Sequence, residues 1–432
     1  MSNLSTQPYK GTRDFYPEDM RIRNWIFEHM KKVCRSYGYE EYDGPMLESF
    51  DLYAAKSGEE IVNNELYSFE DKGGRKVAMR PEMTPTVARM VAAKVQELPK
   101  PIRWFSIPNL WRYEAPQKGR LREHWQLNVD IFGVELLDAE AEVLKIARDI
   151  LTLFGADNSM YECKINNRKL LDSAFDKIGI FDNEEDKKRY KVSKAIDKKD
   201  KVSSDDFKTM LGDAGCSDEE ITAIEKYLNS TLDEVKMLVG EDNLGYQELV
   251  TLFEILNLED GNTFAKFSPG LMRGFDYYTG TVFEFYDTNP ENRRAMFGGG
   301  RYDDLVSIFN GQKIPAFGFG MGDVTARDFL DTHNLTPKLK SDIDVLITTL
   351  DDSAKLYITD ISNKLRAKNL NVVNYVNPDK LDKQLKFANQ KGIKYVIIAG
   401  SDEMGKGIFK LKNMDERTET EIKIEEIDGL EL

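Results

Sequence analysis

Hydrophobic positions recur with two different periods along the chain, and each period predicts a different kind of element. Between Arg21 and Ser36, apolar residues return every three or four positions, which is typical of an amphipathic helix facing a core. The dipeptide Thr84-Pro85 predicts the start of a second helix, with Thr84 as the N-cap and Pro85 at the first helical position.

Two apolar, aromatic-rich segments, Ile102 to Glu114 and Arg122 to Phe132, flank a polar run and predict a long antiparallel hairpin. A period of two in the second strand puts polar residues on one face and apolar residues on the other. The polar residues are His124, Gln126, Asn128 and Asp130. In the first strand, Arg112 and Glu114 share a face. A wholly polar face in so apolar a hairpin lines either solvent or a site.

The character of the chain changes three more times. Charge-dense helical patterns fill 161–261, and strand patterns resume in 280–286 and in the glycine-rich segment 315–322. Beyond a short linker, buried-strand runs alternate with amphipathic helices, which predicts a small α/β domain. The predicted domains are a first part of the core (1–160), a helical insertion (161–261), a second part of the core (262–333) and a C-terminal domain (338–432).

Composition restricts the class of protein. A chain of 432 residues is long enough for two or three domains, and 41% hydrophobic with 31% charged residues fits a globular protein. No apolar stretch is long enough for a membrane span, and the polar N-terminus lacks a signal-peptide core, so we expect a cytoplasmic protein without a membrane partner. Three scattered cysteines and three isolated histidines do not form a disulfide framework or a zinc site.

The charge balance excludes a uniformly basic nucleic-acid-binding coat, because the net charge is -15. A local basic patch remains possible: the stretch 364–412 has 11 Lys and Arg against 4 Asp and Glu, a local charge of +7. The hairpin loop adds Lys118, Arg120 and Arg122. Such a patch fits RNA, and ordinary surface lysines are the alternative for any single residue.

Three segments could carry chemistry. Arg112 with the basic loop suits a phosphate, because a guanidinium binds two oxygens at once, although solvated surface charges would look the same. The segment 273–280 could hold a polar ligand between a cation and an aromatic wall, or it could be a tyrosine-rich core strand. The glycines of 298–300 fit a nucleotide or a plain turn. Neither a P-loop nor a Rossmann fingerprint is present.

Six motifs in order resemble one family over essentially the whole chain. They are Tyr9-Lys-Gly-Thr-Arg-Asp, Arg80-Pro-Glu-Met-Thr, Pro116-Gln-Lys-Gly-Arg, Arg273-Gly-Phe-Asp-Tyr-Tyr-Thr-Gly, Gly299-Gly-Arg-Tyr-Asp and Pro315-Ala-Phe-Gly-Phe-Gly-Met-Gly. Together they resemble the histidyl-tRNA synthetases, which are class II aminoacyl-tRNA synthetases. The resemblance implies an α+β catalytic core with a mixed, mainly antiparallel sheet, a helical insertion, a C-terminal α/β anticodon-binding domain and a homodimer, with Pro45 in the dimer-forming motif.

The resemblance also implies an activity. It is the ATP-dependent ligation of L-histidine to tRNA-His through a histidyl-adenylate, which releases AMP and pyrophosphate. The implied cofactor is Mg²⁺ bound to ATP, and no zinc, haem or flavin is implied. The implied catalytic residues are Arg273 and Arg112. The implied histidine-binding residues are Glu82, Thr84, Arg112, Gln126, Asp130, Arg273, Tyr277 and Tyr278. The implied ATP-binding residues are Arg112, Glu114 and Arg120.

Three positions depart from the family pattern. Asp130 stands where many bacterial members have Glu. Ala115 stands at a position where many members have an Arg that contacts the acceptor stem. Thr325 occupies the arginine position of the third class II motif, and Arg327 lies about 200° around a helix from it.

Two alternatives share the core fold. A regulatory subunit of ATP phosphoribosyltransferase would bind histidine without catalysis, but such proteins usually lack the C-terminal domain and the Arg-Gly-x-Asp-Tyr-Tyr element that this chain has. A prolyl or threonyl synthetase would not need a pocket of the histidine type.

Overall fold

The computed structural model describes residues 4–55, 61–182, 187–199, 202–260, 264–272, 277–292 and 294–432. The chain divides into two compact units, residues 1–336 and residues 337–432. In the described part of the chain, no helix has the length and apolar character needed to cross a membrane.

The first unit mixes strands and helices. Its strands are β1 (Glu40–Glu41), β2 (Leu47–Ser49), β3 (Ser68–Glu70), β4 (Lys76–Met79), β5 (Ile102–Ser106), β6 (Asn109–Trp111), β7 (Glu123–Phe132), β8 (Tyr161–Asn167), β9 (Ala265–Phe267), β10 (Thr281–Asp287), β11 (Ala295–Arg301) and β12 (Ala316–Gly322). Its helices are α1 (Pro17–Ser36), α2 (Phe50–Ala54), α3 (Thr84–Ala93), α4 (Asp138–Leu153), α5 (Arg168–Ile178), α6 (Lys188–Lys198), α7 (Ser204–Asp213), α8 (Asp218–Leu228), α9 (Leu232–Val239), α10 (Leu244–Asp260), α11 (Ser307–Asn310) and α12 (Asp323–Thr332), besides a π-helical turn at Ile61–Glu65.

A large mixed sheet organises this unit. Among the described residues its strand order is β1-β5-β7-β12-β11-β10-β8-β9, with β6 paired to the outer part of β7. The β1–β5 and β8–β9 pairs are parallel and the other pairs are antiparallel. A smaller antiparallel sheet has the order β2-β4-β3. The mixed, mainly antiparallel sheet confirms the predicted fold class.

The core lies on one face of the large sheet. Leu127, Val129 and Ile131 of β7 are buried there together with α1 and α4. The helix predicted at 21–36 is α1, which begins earlier, because Pro17 can occupy the first turn where no N–H donor is needed. Alternation along β7 therefore sends its polar residues to the opposite face, as the period of two predicted.

Three local predictions differ from the structure. The N-cap of α3 is Met83 and Thr84 is already helical, so no side chain caps this helix. Residues 161–167 form strand β8 of the large sheet, so the helical stretch begins at Arg168 rather than at Tyr161. The first arm of the hairpin is broken into β5 and β6 around Pro108, which has no N–H for a ladder hydrogen bond.

The second unit is a small α/β domain. Its strands are β13 (Val345–Ile347), β14 (Val372–Asn374), β15 (Tyr395–Ile398), β16 (Ile408–Asn413) and β17 (Thr418–Lys423), and its helices are α13 (Lys355–Ala367), α14 (Leu381–Lys391) and α15 (Ser401–Lys406), with 3-10 turns at Asp352–Ala354 and Ile424–Gly429. The sheet order is β14-β13-β15-β16-β17, parallel in its first three strands. Helices α13 and α14 provide buried residues to two separate apolar clusters.

Candidate active site

The polar face of β7 borders a floor without side chains. Three glycines of β12 lie opposite its polar residues, in the pairs Gly318–Asp130, Gly320–Asn128 and Gly322–Gln126. A Cβ at Gly318 would lie 2.2 Å from Oδ1 of Asp130, and a Cβ at Gly320 would lie 2.3 Å from Nε2 of Gln126. Since residues opposite each other in an antiparallel pair share a face, these glycines leave room at the positions where the polar side chains project.

The glycine floor continues onto the next strand. Gly300 of β11 lies opposite Gly318, and Gly298 lies opposite Gly320. The ring of Tyr278 covers Gly300, where a Cβ would approach the ring to 2.7 Å. We call the glycines 298, 300, 318, 320 and 322 the glycine floor. The glycine run at 298–300 is thus part of a strand, and neither a phosphate turn nor a plain turn describes it.

Asp130 lies at the buried end of this floor. Its Oδ1 accepts a hydrogen bond from the hydroxyl of Tyr302, and its Oδ2 is buried without a hydrogen-bond partner among the described residues. Burial raises the pKa of Asp130 to about 7, and the Tyr302 hydrogen bond partly opposes that rise. An unpaired carboxylate oxygen in a buried position calls for a donor, which a ligand can supply.

A second buried carboxylate, Glu82, lies in the turn before α3. It is only 2% exposed, and it accepts a hydrogen bond of 3.0 Å from the hydroxyl of Tyr277. Thr84 also hydrogen-bonds to Tyr277. Burial raises the pKa of Tyr277 well above its usual value, and the charge of Glu82 adds to the rise, so the tyrosine remains a donor at neutral pH. The three residues form one polar group.

Arg112 connects that group to the hairpin loop. Its Nε donates to the carbonyl of Pro81, the residue before Glu82, at 2.8 Å, which fixes the plane of the guanidinium. Its Nη1 lies 3.8 Å from Glu114, which is in turn 3.3 Å from Nη1 of Arg120. Glu114 is 9% exposed whereas Arg120 is 52% exposed. A buried acid between two cations, one of them largely in solvent, fits a site for a phosphorylated ligand that also carries hydrogen-bond donors.

The N-terminal segment holds the loop against the sheet, a role that the sequence did not reveal. The carbonyl of Gly11 accepts from the backbone N–H of Arg122 at 2.8 Å. Arg13 forms an ion pair of 2.8 Å with Asp323, whose other oxygen accepts from the backbone N–H of Trp125 at 2.9 Å. Burial raises the pKa of Asp323, while Arg13 opposes the rise. Residues 11–13 therefore tie β7 to the start of α12.

His124 projects from the same polar face of β7 near the arginines. Burial lowers the pKa of His124 to about 3, and the charges of Arg112 and Arg13 add to the decrease. The imidazole is consequently neutral at neutral pH and adds no positive charge to the site.

Comparison with known proteins identifies the family. The family model described as histidyl-tRNA synthetase matches residues 11–323, which is more than half of the chain, and a model of an anticodon-binding domain matches residues 344–429. The chain belongs to the histidyl-tRNA synthetase family. This confirms the resemblance that the six motifs indicated.

Curated relatives and solved structures agree. A histidine--tRNA ligase of Leptospira biflexa is 47% identical over 96% of this chain and 95% of its own length. A chloroplastic/mitochondrial histidine--tRNA ligase of Arabidopsis thaliana is 35% identical over 98% of this chain and 86% of its own length. The crystal structure of histidyl-tRNA synthetase from Nostoc has a TM-score of 0.81 over 99% of both chains at 23% identity, which shows the same fold.

The segment that resembles the third class II motif lies at the start of α12. Thr325 lies in the first turn of α12 and donates its hydroxyl proton to the carbonyl of Met296 at 2.7 Å. Gly119 of the hairpin loop lies close by, since its Cβ would be 3.7 Å from the Thr325 methyl carbon. Arg327 pairs with Asp331 at 2.8 Å on the helix surface.

Two of the predicted residues are not part of this cluster. Pro45 is exposed ahead of β2, next to Gly44, whose carbonyl accepts a 2.7 Å hydrogen bond from buried Arg80. Arg273 lies outside the described residues. Among the residues that the structure describes, no group of three or more His, Cys, Asp and Glu side chains could hold a metal ion.

Proposed function

We propose that the glycine floor and its polar border are the site where this synthetase activates histidine. The family reaction is the ATP-dependent ligation of L-histidine to tRNA-His through a histidyl-adenylate, with release of AMP and pyrophosphate. The observation that carries the placement is Asp130, a buried carboxylate with one oxygen that has no hydrogen-bond partner among the described residues. A neutral imidazole has one N–H donor and one acceptor, so it can pair with a carboxylate and a phenol.

In this proposal the imidazole lies between Asp130 and Tyr278, whose ring covers Gly300. Gln126 and the group of Glu82 and Thr84 bind the α-amino end of histidine. Support comes from the burial of Glu82, which is 2% exposed, and from the glycines of β12, over which the side chains of Gln126 and Asp130 lie. The buried carboxylate of Glu82 suits an ammonium group, because each compensates the desolvation of the other.

Arg112 is proposed to hold the histidine carboxylate and the α-phosphate of ATP close together. A carboxylate oxygen forms the new bond to phosphorus, and the bond from phosphorus to the pyrophosphate oxygen breaks. The carboxylate is already ionised at neutral pH, so the step needs no general base. Catalysis then depends on aligning two anions and on stabilising charge on the phosphoryl oxygens, for which a fixed guanidinium is suitable.

The remaining ATP contacts follow from the loop. We assign Glu114 to the adenine, Arg120 to the triphosphate and Arg273 to the reacting phosphoryl group, the last by family resemblance alone. Mg²⁺ enters as the MgATP substrate, and its coordination by the phosphates needs no metal-ligand cluster of the protein. Thr325 cannot supply the cation that the third motif usually has, so the half-exposed Arg120 is the loop cation assigned to that task.

The second unit is proposed to bind the anticodon of tRNA-His. Its stretch 364–412 has a local charge of +7 in a chain with a net charge of -15, and it includes Lys410 and Lys412 on β16. Local positive charge of this kind gives salt-dependent binding to phosphates without a uniformly basic surface. The proposal also includes the predicted domain boundaries, with the helical insertion beginning at Arg168, a homodimer through the region of Pro45 and a cytoplasmic location.

A pyrophosphate-exchange assay with each amino acid tests the proposal. Histidine should support exchange, and proline, threonine and the other amino acids should not. Exchange that does not depend on histidine, or no exchange with any amino acid, would contradict it. The second result would favour a histidine-binding regulator, which equilibrium dialysis with radiolabelled histidine would detect.

A further inference from the structure

Tyr302 is not among the assigned ligand contacts, but it hydrogen-bonds to Asp130. It immediately follows β11 and is 2% exposed. Its hydroxyl donates to Oδ1 of Asp130 across 172 residues of sequence. This hydrogen bond occupies one oxygen of the carboxylate, while Oδ2 remains buried and without a partner in the described part of the chain.

The packing around Tyr302 fixes its hydroxyl in place. Its backbone N–H donates to the carbonyl of Ala316 at 2.8 Å. Its ring makes edge-on contacts with Phe132 at 6.0 Å and with Tyr277 at 5.9 Å between centroids. Because the ring is enclosed on several sides, the hydroxyl cannot follow the carboxylate if the latter rotates.

Gly318 holds the same oxygen from the other side. A Cβ there would lie 2.2 Å from Oδ1, so the glycine hydrogen faces that oxygen at contact distance. Oδ1 is thus enclosed between Tyr302 and β12. Rotation of the carboxylate would remove a hydrogen bond to a charged group, which is worth more than a neutral one.

We propose that Tyr302 is a positioning residue for histidine specificity, which holds Oδ1 of Asp130 so that Oδ2 alone accepts the imidazole N–H. The inference rests on the proposed role of Asp130. An amino acid whose side chain has no N–H donor would leave Oδ2 unpaired in a buried site, and the pocket would reject it for that reason.

The same hydrogen bond also affects ionisation. Burial raises the pKa of Asp130 to about 7, and donation from Tyr302 lowers it. The other titratable groups that face this pair are Tyr42, which lies beside Asp130, and Tyr277, which lies beside Tyr302. Neither carries charge at neutral pH, because burial raises the pKa of each tyrosine well above its usual value. Removing the Tyr302 hydroxyl should therefore raise the pKa of Asp130 further.

The test is Tyr302→Phe, measured by histidine-dependent pyrophosphate exchange from pH 5.5 to 9. We expect KM for histidine to rise about tenfold or more with kcat nearly unchanged, since the lost hydrogen bond positions a ligand contact rather than the reacting phosphate. The acidic limb of the kcat/KM profile should move to higher pH, because Asp130 must be ionised to accept the imidazole proton.

Tyr39→Phe is the matched control. Tyr39 is also a buried tyrosine, and it donates to a carboxylate, Glu142, at 2.9 Å. This change should reduce stability by a similar amount and leave KM for histidine and the pH profile unchanged. Equal KM values and equal profiles in the wild type and both variants would overturn the inference, as would a loss of kcat with unchanged KM. If the wild type itself showed no histidine-dependent exchange, the proposed function would fail instead.

A fluorinated residue keeps the test decisive if Tyr302→Phe does not fold. Incorporating 3-fluorotyrosine at position 302 preserves the ring and the donor but makes the hydroxyl more acidic and so a stronger donor. The acidic limb should then move to lower pH, opposite to the effect of phenylalanine. An unchanged limb in the fluorinated protein would overturn the inference.

Discussion

Replacing Asp130 with asparagine is expected to stabilise the ligand-free protein at alkaline pH and to abolish histidine activation. Asparagine has nearly the same shape and keeps an oxygen that can accept from Tyr302. It has no charge to desolvate. The substitution therefore isolates the free-energy cost of burying this carboxylate for function.

The pKa of Asp130 gives the magnitude. Burial raises it from 3.8 to about 7, a difference of about three units, which corresponds to about 4 kcal/mol. Because the folded-state pKa lies above the unfolded value, the folded protein retains a proton that the unfolded chain has released. The stabilisation by that proton is complete below about pH 4 and is lost as the pH rises to about 7.

The measurement is urea unfolding of wild type and Asp130→Asn at pH 5 and pH 8.5. Between these two values the free energy of unfolding of the wild type should fall relative to the variant by about 3 kcal/mol, since only part of the titration lies above pH 5. Other buried acids titrate equally in both proteins and cancel in the difference. The chain has four tryptophans, all of them in the first unit, so their fluorescence follows the unit that contains the site; they are Trp25, Trp104, Trp111 and Trp125.

The functional half of the prediction uses the same proteins. At pH 8.5 the more stable variant should lose at least about 10²-fold in kcat/KM for histidine, because an amide N–H replaces the oxygen that accepts from the imidazole. If the wild type and Asp130→Asn lost stability equally from pH 5 to pH 8.5, Asp130 would not have a raised pKa. If the variant retained activity, Asp130 would not contact the substrate.

Three further changes test other parts of the site. Gly318→Ala places a methyl group 2.2 Å from the Asp130 carboxylate, so histidine-dependent exchange should be lost. The control Gly212→Ala, at a helical glycine with open space around it, should keep the exchange activity. Equal activities of the two variants would contradict the role of the glycine floor. Arg273→His should slow adenylate formation by at least about 10²-fold in single-turnover assays while dialysis still detects bound histidine, and an unchanged rate would remove its catalytic role. Arg301→Met leaves buried Glu140 without its partner and should lower the free energy of unfolding by about 3–5 kcal/mol in urea, whereas a change below about 1 kcal/mol would show that the pair is dispensable.

The sequence predicted those parts of the site that depend on local pattern. The period of two in β7 is enough to place Gln126 and Asp130 on one face, and the structure confirms that alternation by burying the apolar residues on the other face. The hairpin that pairs β5 and β6 with β7 was likewise predictable, because its arms are neighbours in the sequence and need no information from distant residues.

Contacts between distant segments could not be predicted in this way. The pairing of β7 with β12 joins residues about 190 positions apart, and the sequence of neither strand indicates its partner. A signal for the glycine floor was nevertheless present, since glycine alternates with a large apolar residue through Ala316–Gly322. Such a period indicates a strand with large side chains on one face and none on the other, which allows a ligand or a neighbouring group to approach the backbone closely. The contact of Tyr302 with Asp130 depends on the same sheet order and had no signal of its own.

The helix start at residue 84 shows why local signals also fail. Thr84 before a proline is typical of an N-cap, yet it lies within α3 and its hydroxyl hydrogen-bonds to Tyr277. A side chain that binds a tertiary partner is not available to cap its own helix, so Thr84 does not cap α3.

The glycine floor has a free-energy cost that the opposite face of the sheet offsets. Glycine within a strand is destabilising by roughly 0.5–1 kcal/mol relative to alanine, and β11 and β12 have several such positions side by side. On the other face, β10, β11 and β12 present a stack of aromatic rings: Phe285 lies 4.7 Å from Phe297, and Phe283 lies 5.7 Å from Phe317. Each ring buries a large apolar area, and aromatic pairs add about 0.5–1.5 kcal/mol beyond that burial. The large rings on the core side therefore offset the cost of strands that have glycine in place of side chains on the ligand side. It follows that Phe317→Ala, which leaves every ligand contact in place, should destabilise the first unit by about 3–5 kcal/mol and reduce histidine binding only as far as the sheet itself unfolds.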